Sequence, residues 1–154
     1  IIQKSYVGRD GRPLYWAESA AEEAEDAAIC TALAVIALLN YAKISNGWKQ
    51  MVAYLHNCGE WLLRAKWKSW EETISHKSGG PLTYYHYTAF WAIIALLRLG
   101  YGSDEKRIKD ELQGILERET DGVWAWNKGL DYPIWTIYNA ILMMNEYALT
   151  EIRI

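Results

Sequence analysis

The sequence predicts an all-α chain built from helical hairpin repeats, and three observations carry that prediction. Residues 25–39 (EDAAICTALAVIALL), 82–97 (LTYYHYTAFWAIIALL) and 130–144 (LDYPIWTIYNAILMM) are apolar around nearly the whole circumference of a helix, the pattern of a helix enclosed by others. Two further stretches, 48–66 and 104–119, are apolar on one face only, the pattern of a helix that covers a core. The three enclosed stretches also match one another at fixed offsets, which marks an internal repeat.

Residues 1–16 read as irregular: Gly8-Arg-Asp-Gly11 and Pro13 are turn signals, and Leu14-Tyr-Trp16 is a short apolar cluster expected to pack on the core. Residues 17–25 (AESAAEEAE) are strong helix formers without an apolar stripe. The first inner helix is expected over 26–43, with Lys43 at its C-terminus and Ser45-Asn-Gly47 ending it. The first outer helix is expected over 48–66, with Trp48, Met51, Val52, Leu55, Gly59, Leu62 and Leu63 on its apolar face. Residues 67–81 read as a long connection. The second inner helix is expected over 83–99, capped by Thr83 and ended by Gly100. The second outer helix follows over 104–119, capped by Ser103 or Asp104, with a stripe of Ile108, Leu112, Ile115 and Leu116. The third inner helix is expected over 132–149, capped by Asp131, with Pro133 tolerated in its first turn.

An offset of 48 superposes Tyr84 on Tyr132, Thr88 on Thr136, Ala92 on Ala140 and Ile93 on Ile141. The first copy lies 57 or 58 residues earlier. An offset of 58 matches 36–39 (IALL) to 94–97 (IALL), and one of 57 matches Thr31-Ala32 to Thr88-Ala89. The 154 residues therefore form a single helical-repeat domain, with repeats of about 10–66, 67–119 and 120–154, or two and a half hairpins.

Composition bounds the function. A net charge of -3 excludes the basic face that nucleic acid requires. The longest apolar run, 27–39, is shorter than the roughly 20 residues of a bilayer crossing, so no transmembrane segment is expected. A basic segment followed by an apolar one, as in a signal peptide, is absent from the N-terminus. The start at Ile1 rather than Met points to a fragment or a processed product. Cys30 and Cys58 both fall in helical patterns, and buried thiols of this kind imply a reducing, cytoplasmic setting. Nine Trp and eleven Tyr against one Phe favour edges, interfaces and cavity walls, where an apolar ring and a polar tip are both used.

The third unit carries a resemblance. Asp121-Gly-Val-Trp124, a loop with Gly129, and Pro133-Ile-Trp-Thr-Ile-Tyr-Asn-Ala140 resemble the prenyltransferase and squalene oxidase repeat. That repeat builds the α/α toroid of terpenoid cyclases and protein prenyltransferase β subunits, a ring of five to seven hairpins. The resemblance thus implies a partial α/α toroid of roughly half a ring. The position six before Trp124 holds Arg118, where the squalene-hopene cyclase branch has Gln. Neither Asp-x-Asp-Asp, which protonates an alkene or epoxide, nor Asp-Asp-x-x-Asp, which holds magnesium, occurs in the chain. No catalytic motif of the family is intact, and no catalytic residue is assigned.

Two candidate sites follow. Protein prenyltransferases hold zinc with Asp, Cys and His near the ends of inner helices, the His in a Tyr-His-Thr context. Tyr85-His86-Tyr87-Thr88 resembles that context with one extra residue. With Asp26 and Cys30 one helical turn apart, Asp26, Cys30 and His86 form a candidate zinc set. The bland alternative is a capping Asp, a small core thiol and a partly buried His. The acidic run 22–26 is read as a solvated helix start, and no other cofactor is expected. Trp67, Trp70, Trp124, Trp126, Trp135 and Tyr138 lie in loops or first turns, where they either line an apolar cavity or peptide surface or staple loops between repeats.

Each repeat buries its face on a neighbour, and the helix at 134–149 has no outer helix after it in this chain. A protein partner, a second copy or a further segment is therefore expected to cover it. The function expected first is an interaction or regulatory module derived from a toroid. The alternative is a fragment or subunit of an isoprenoid-handling enzyme, with an apolar isoprenoid ligand.

Overall fold

The computed structural model describes residues 5–17, 27–76, 80–117, 119–120, 123–124 and 134–152. The protein is mostly helical, with five helices and three two-stranded antiparallel hairpins among the described residues. The elements follow one order, in which a β-hairpin leads into an inner helix and an outer helix follows. That order runs twice, and a third hairpin and inner helix come last.

The N-terminal segment is not irregular. β1 (Ser5–Val7) pairs with β2 (Pro13–Trp16) around a turn in which Gly11 takes a φ of 74°, a left-handed conformation that glycine tolerates without strain. The expected packing of residues 14–16 on the core is present, since Tyr15 and Trp16 are buried and Leu14 is half-buried. The Tyr15 ring stacks between Tyr6 (centroids 4.4 Å apart) and Trp61 (4.8 Å).

α1 (Ala27–Ile44) begins one residue after the expected start as far as the described residues run, and it ends at Asn46, whose φ of 56° turns the chain before Gly47. Its Thr31 hydroxyl accepts the Trp16 backbone N–H at 2.9 Å and donates to the Trp16 carbonyl at 3.2 Å, fastening β2 to the helix. α1 is 18 residues long with a mean hydropathy of 1.8, so it is long and apolar enough to span a bilayer. The run 27–39 understates it, because the helix continues through residues 40–44. Half of it is buried within the chain, as in a core helix.

α2 (Trp48–Arg64) buries Leu55, Gly59 and Leu62 as its periodicity predicts, with Cys58 beside them, while Trp48, Met51, Val52 and Leu63 of the expected stripe are half-buried against the core. The next segment differs most from expectation. Residues 67–81 are not one long loop, and the second inner helix does not start at Thr83. β3 (Trp70–His76) pairs in full register with β4 (Gly80–His86), and Thr83 sits mid-strand opposite Thr73. The aromatic and β-branched run Thr83-Tyr84-Tyr85 favours a pleated strand, and pairing satisfies its backbone.

α3 (Thr88–Leu99) therefore starts five residues later than expected. It ends as expected at Gly100, left-handed at φ 95°, with the Tyr101 N–H closing on the Leu96 carbonyl. Ten of its twelve residues are buried, which makes it the most enclosed helix of the described structure.

α4 (Lys106–Leu116) is capped by Glu105 rather than Ser103 or Asp104. It buries Ile108, Leu112 and Ile115, whereas Leu116 is exposed. β5 (Glu119–Thr120) and β6 (Val123–Trp124) form the third hairpin ahead of α5 (Ile134–Ile152). The expected cap Asp131 and Pro133 lie outside the described residues. α1 packs on α3 and α3 packs on α5, while α2 packs on both α1 and α3.

Candidate functional site

The three inner helices meet side by side at Arg98, in the last turn of α3. Its Nε and Nη2 donate to Glu146 Oε2 of α5 at 3.0 and 2.9 Å, and its Nη1 donates to Asn40 Oδ1 of α1 at 3.0 Å. These three residues stand 58 and 48 positions apart. The contacts thus join positions that stand at two of the offsets read from the sequence, 58 and 48. The C-terminal halves of the three helices consequently lie together.

With that register, burial sorts each inner helix into two faces. One face is Ala32, Val35 and Leu39 in α1, Phe90, Ile93 and Leu97 in α3, and Tyr138, Ile141 and Asn145 in α5. It is buried in α1 and α3 and exposed in α5, where Ile141 is 57% exposed. The other face is Leu33, Ala37 and Tyr41 in α1, Trp91, Ala95 and Leu99 in α3, and Asn139, Met143 and Tyr147 in α5. It is exposed in α1, where Tyr41 is 65% exposed, and buried or half-buried in α3 and α5. Ile44 (86% exposed) extends the open face of α1, and Leu149 (41%) extends that of α5 beyond the polar Asn145. The row of inner helices therefore has two open, largely apolar ends.

Of the predicted aromatic site residues, only Trp67 and Tyr138 have described side chains. The Trp67 indole N–H donates to the Leu62 carbonyl at 2.9 Å, and the Arg107 guanidinium lies 4.6 Å above the ring centroid. Arg107 also pairs with Glu111 at 3.1 Å and reaches the Ala65 carbonyl. Trp67 thus fastens the end of α2 to α4. Tyr138 lies on the open face of α5. Trp70 belongs to β3, Trp124 to β6 and Trp135 to the first turn of α5, and their side chains lie outside the described residues, as does all of Trp126.

Of the candidate zinc ligands, only Cys30 has a described side chain, half-buried on α1. Asp26 lies outside the described residues. His86 does not open a helix; it ends β4, paired with Trp70, two residues ahead of α3. Among the described residues, no group of three His, Cys, Asp or Glu is placed to hold a metal ion. Cys58, the other thiol, is buried and donates to the Pro13 carbonyl at 3.1 Å; burial pushes its pKa up to about 12.

Two cavities open to solvent are lined by described residues. One of about 200 Å³ is lined by Trp67, Ser69, Tyr87, Glu111, Gly114 and Ile115. It is smaller than the roughly 300–1,000 Å³ usual for ligand sites, and its one carboxylate is already paired with Arg107. The other, about 490 Å³, is an open groove between α4 and Tyr147 of α5.

Sequence reasoning did not single out Asn40, Arg98 and Glu146, although the signal was available: they are polar residues at the repeat offsets inside otherwise apolar helices. No protein-family model matches the chain, and no curated protein or solved structure matches it either.

Proposed function

We propose that this chain is a helical-repeat interaction module, a partial α/α toroid whose open inner-helix face on α5 seats a protein partner. One observation carries the reading. Tyr138, Ile141 and Asn145 are exposed on α5, whereas their equivalents in α3, Phe90, Ile93 and Leu97, are all buried. A face that is core in one repeat is surface in the next, and Tyr138, Ile141 and Leu149 keep it apolar there. Exposed apolar area of that kind marks an interface.

The test is the size of the protein in an extract of the cells that make it. The reading predicts that the wild type migrates well above the size of one chain and that Ile141→Arg migrates as one chain with its helical content intact. Migration of the wild type as a single chain would contradict it.

A further inference from the structure

The partner of the α5 face is identifiable from the repeat itself, and this step rests on the interaction reading above. The face buried on α1 is Ala32, Val35 and Leu39, and its equivalent on α3, Phe90, Ile93 and Leu97, is buried too. The opposite face is buried or half-buried on α3, with Trp91, Ala95 and Leu99, and on α5, with Asn139, Met143 and Tyr147. Since α1 packs on α3 and α3 packs on α5, this burial fits one kind of junction used twice, the first face of one helix against the opposite face of the next. The open face of α5 is the third donor of that junction. The open face of α1, with Leu33, Ala37 and Tyr41, is its unused acceptor. Each end of the row lacks the neighbour that the other end supplies.

We infer that a second copy of this chain covers α5, its α1 seated on α5 as α5 is seated on α3. The polar positions fit the same continuation. Arg98 links Asn40 and Glu146 across the two internal junctions. At the third junction, Glu146 of one copy falls beside Asn40 of the next, so a carboxylate meets an amide that can donate to it. The contact is heterologous: each copy keeps one α1 face and one α5 face, so association continues until the row closes on itself.

Sedimentation of the purified chain, alone and as two surface variants, tests this. Ile141→Arg blocks the α5 face and leaves the α1 face intact, and Tyr41→Arg does the reverse. Both positions are exposed, so the fold should persist, which circular dichroism checks; Leu149→Arg and Leu33→Arg serve as replacements on the same faces. The wild type is expected to exceed the mass of one chain. Each variant alone is expected at the mass of one chain, and their equimolar mixture at the mass of two and no more. Tyr41→Arg remaining assembled by itself would overturn the head-to-tail contact in favour of pairing between like faces. A purified wild type at the mass of one chain would overturn the second copy. If that same protein still migrates as a larger species in the extract, the interaction reading stands with another partner; if it is single there too, both fail.

Discussion

Gly59 and Tyr101 hold the middle of the chain together at the scale of single atoms. A Cβ on Gly59 would lie 2.5 Å from the Tyr101 ring, and the ring cannot yield because its hydroxyl donates to Glu60 at 2.7 Å. Burial first, and then the Glu60 carboxylate, push the Tyr101 pKa well above the usual tyrosine range. Gly59→Ala should therefore destabilise by about 1–3 kcal/mol, read as a lower urea midpoint at unchanged slope. Periodicity places Gly59 on the apolar face of α2 but carries no sign of the ring opposite, because Tyr101 lies beyond another helix and a hairpin in the chain.

Asp10 accepts two hydrogen bonds from Asn57 Nδ2, at 3.0 and 2.9 Å, and one from the Arg12 backbone N–H. These hold its carboxyl below the usual range. A depressed folded pKa contributes stability above the unfolded value of about 4, and that contribution is lost as pH falls through the folded value. Asp10→Ala should flatten the acid limb of the curve of Tm against pH and leave its neutral limb parallel. Cys58 works in the opposite sense. Its raised pKa contributes stability below the ordinary thiol range and loses it as pH rises towards about 12. Cys58→Ala should flatten the alkaline limb.

Among the elements, the helices were legible and the hairpins were not. α1, α2 and α4 follow from apolar periodicity to within a few residues, because burial of a face is recorded locally along a helix. β3 and β4 show no clean two-residue alternation in Trp70-Glu-Glu-Thr-Ile-Ser-His76, and their pairing rather than their pattern makes them strands. Thr83 reads equally as a cap or as a strand residue until Thr73 is placed opposite it. Thr31 shows what such a hairpin needs from its helix. Thr31→Val would remove both hydroxyl bonds to the buried Trp16 backbone and should cost about 1–3 kcal/mol, measurable by urea unfolding. The Arg98–Glu146 pair belongs to this scale too, with side chains only 22% and 16% exposed. A double-mutant cycle with Arg98→Met and Glu146→Gln should give a coupling of about 0.5–3 kcal/mol. Additive single effects would show that α3 and α5 are held by apolar packing alone.

For the whole molecule, the sequence disclosed the repeat but left its register between 57 and 58. The link from Asn40 through Arg98 to Glu146 joins residues 58 and 48 apart, whereas the buried Thr31, Thr88 and Thr136 stand 57 and 48 apart. At the offset of 58 the exposed Leu33, Ala37 and Tyr41 of α1 align with Trp91, Ala95 and Leu99 of α3, and at the offset of 48 the exposed Tyr138, Ile141 and Asn145 of α5 align with the buried Phe90, Ile93 and Leu97. The candidate site was legible in outline, since the helix at 134–149 was expected to need cover. The open face of α1 was not, because its residues are as apolar as those of the enclosed helices and only packing shows which side is left bare. The central claim is that these two faces are interfaces. Hydroxyl-radical footprinting of the native protein at Tyr41, Ile141 and Leu149 tests it most directly, with Ile141→Arg as the dissociated reference for Tyr41 and Leu149. The account predicts strong protection of all three in the wild type, and labelling of Tyr41 and Leu149 in the variant in proportion to their exposure of 65% and 41%. Equal labelling of Tyr41 and Leu149 in both proteins would contradict it.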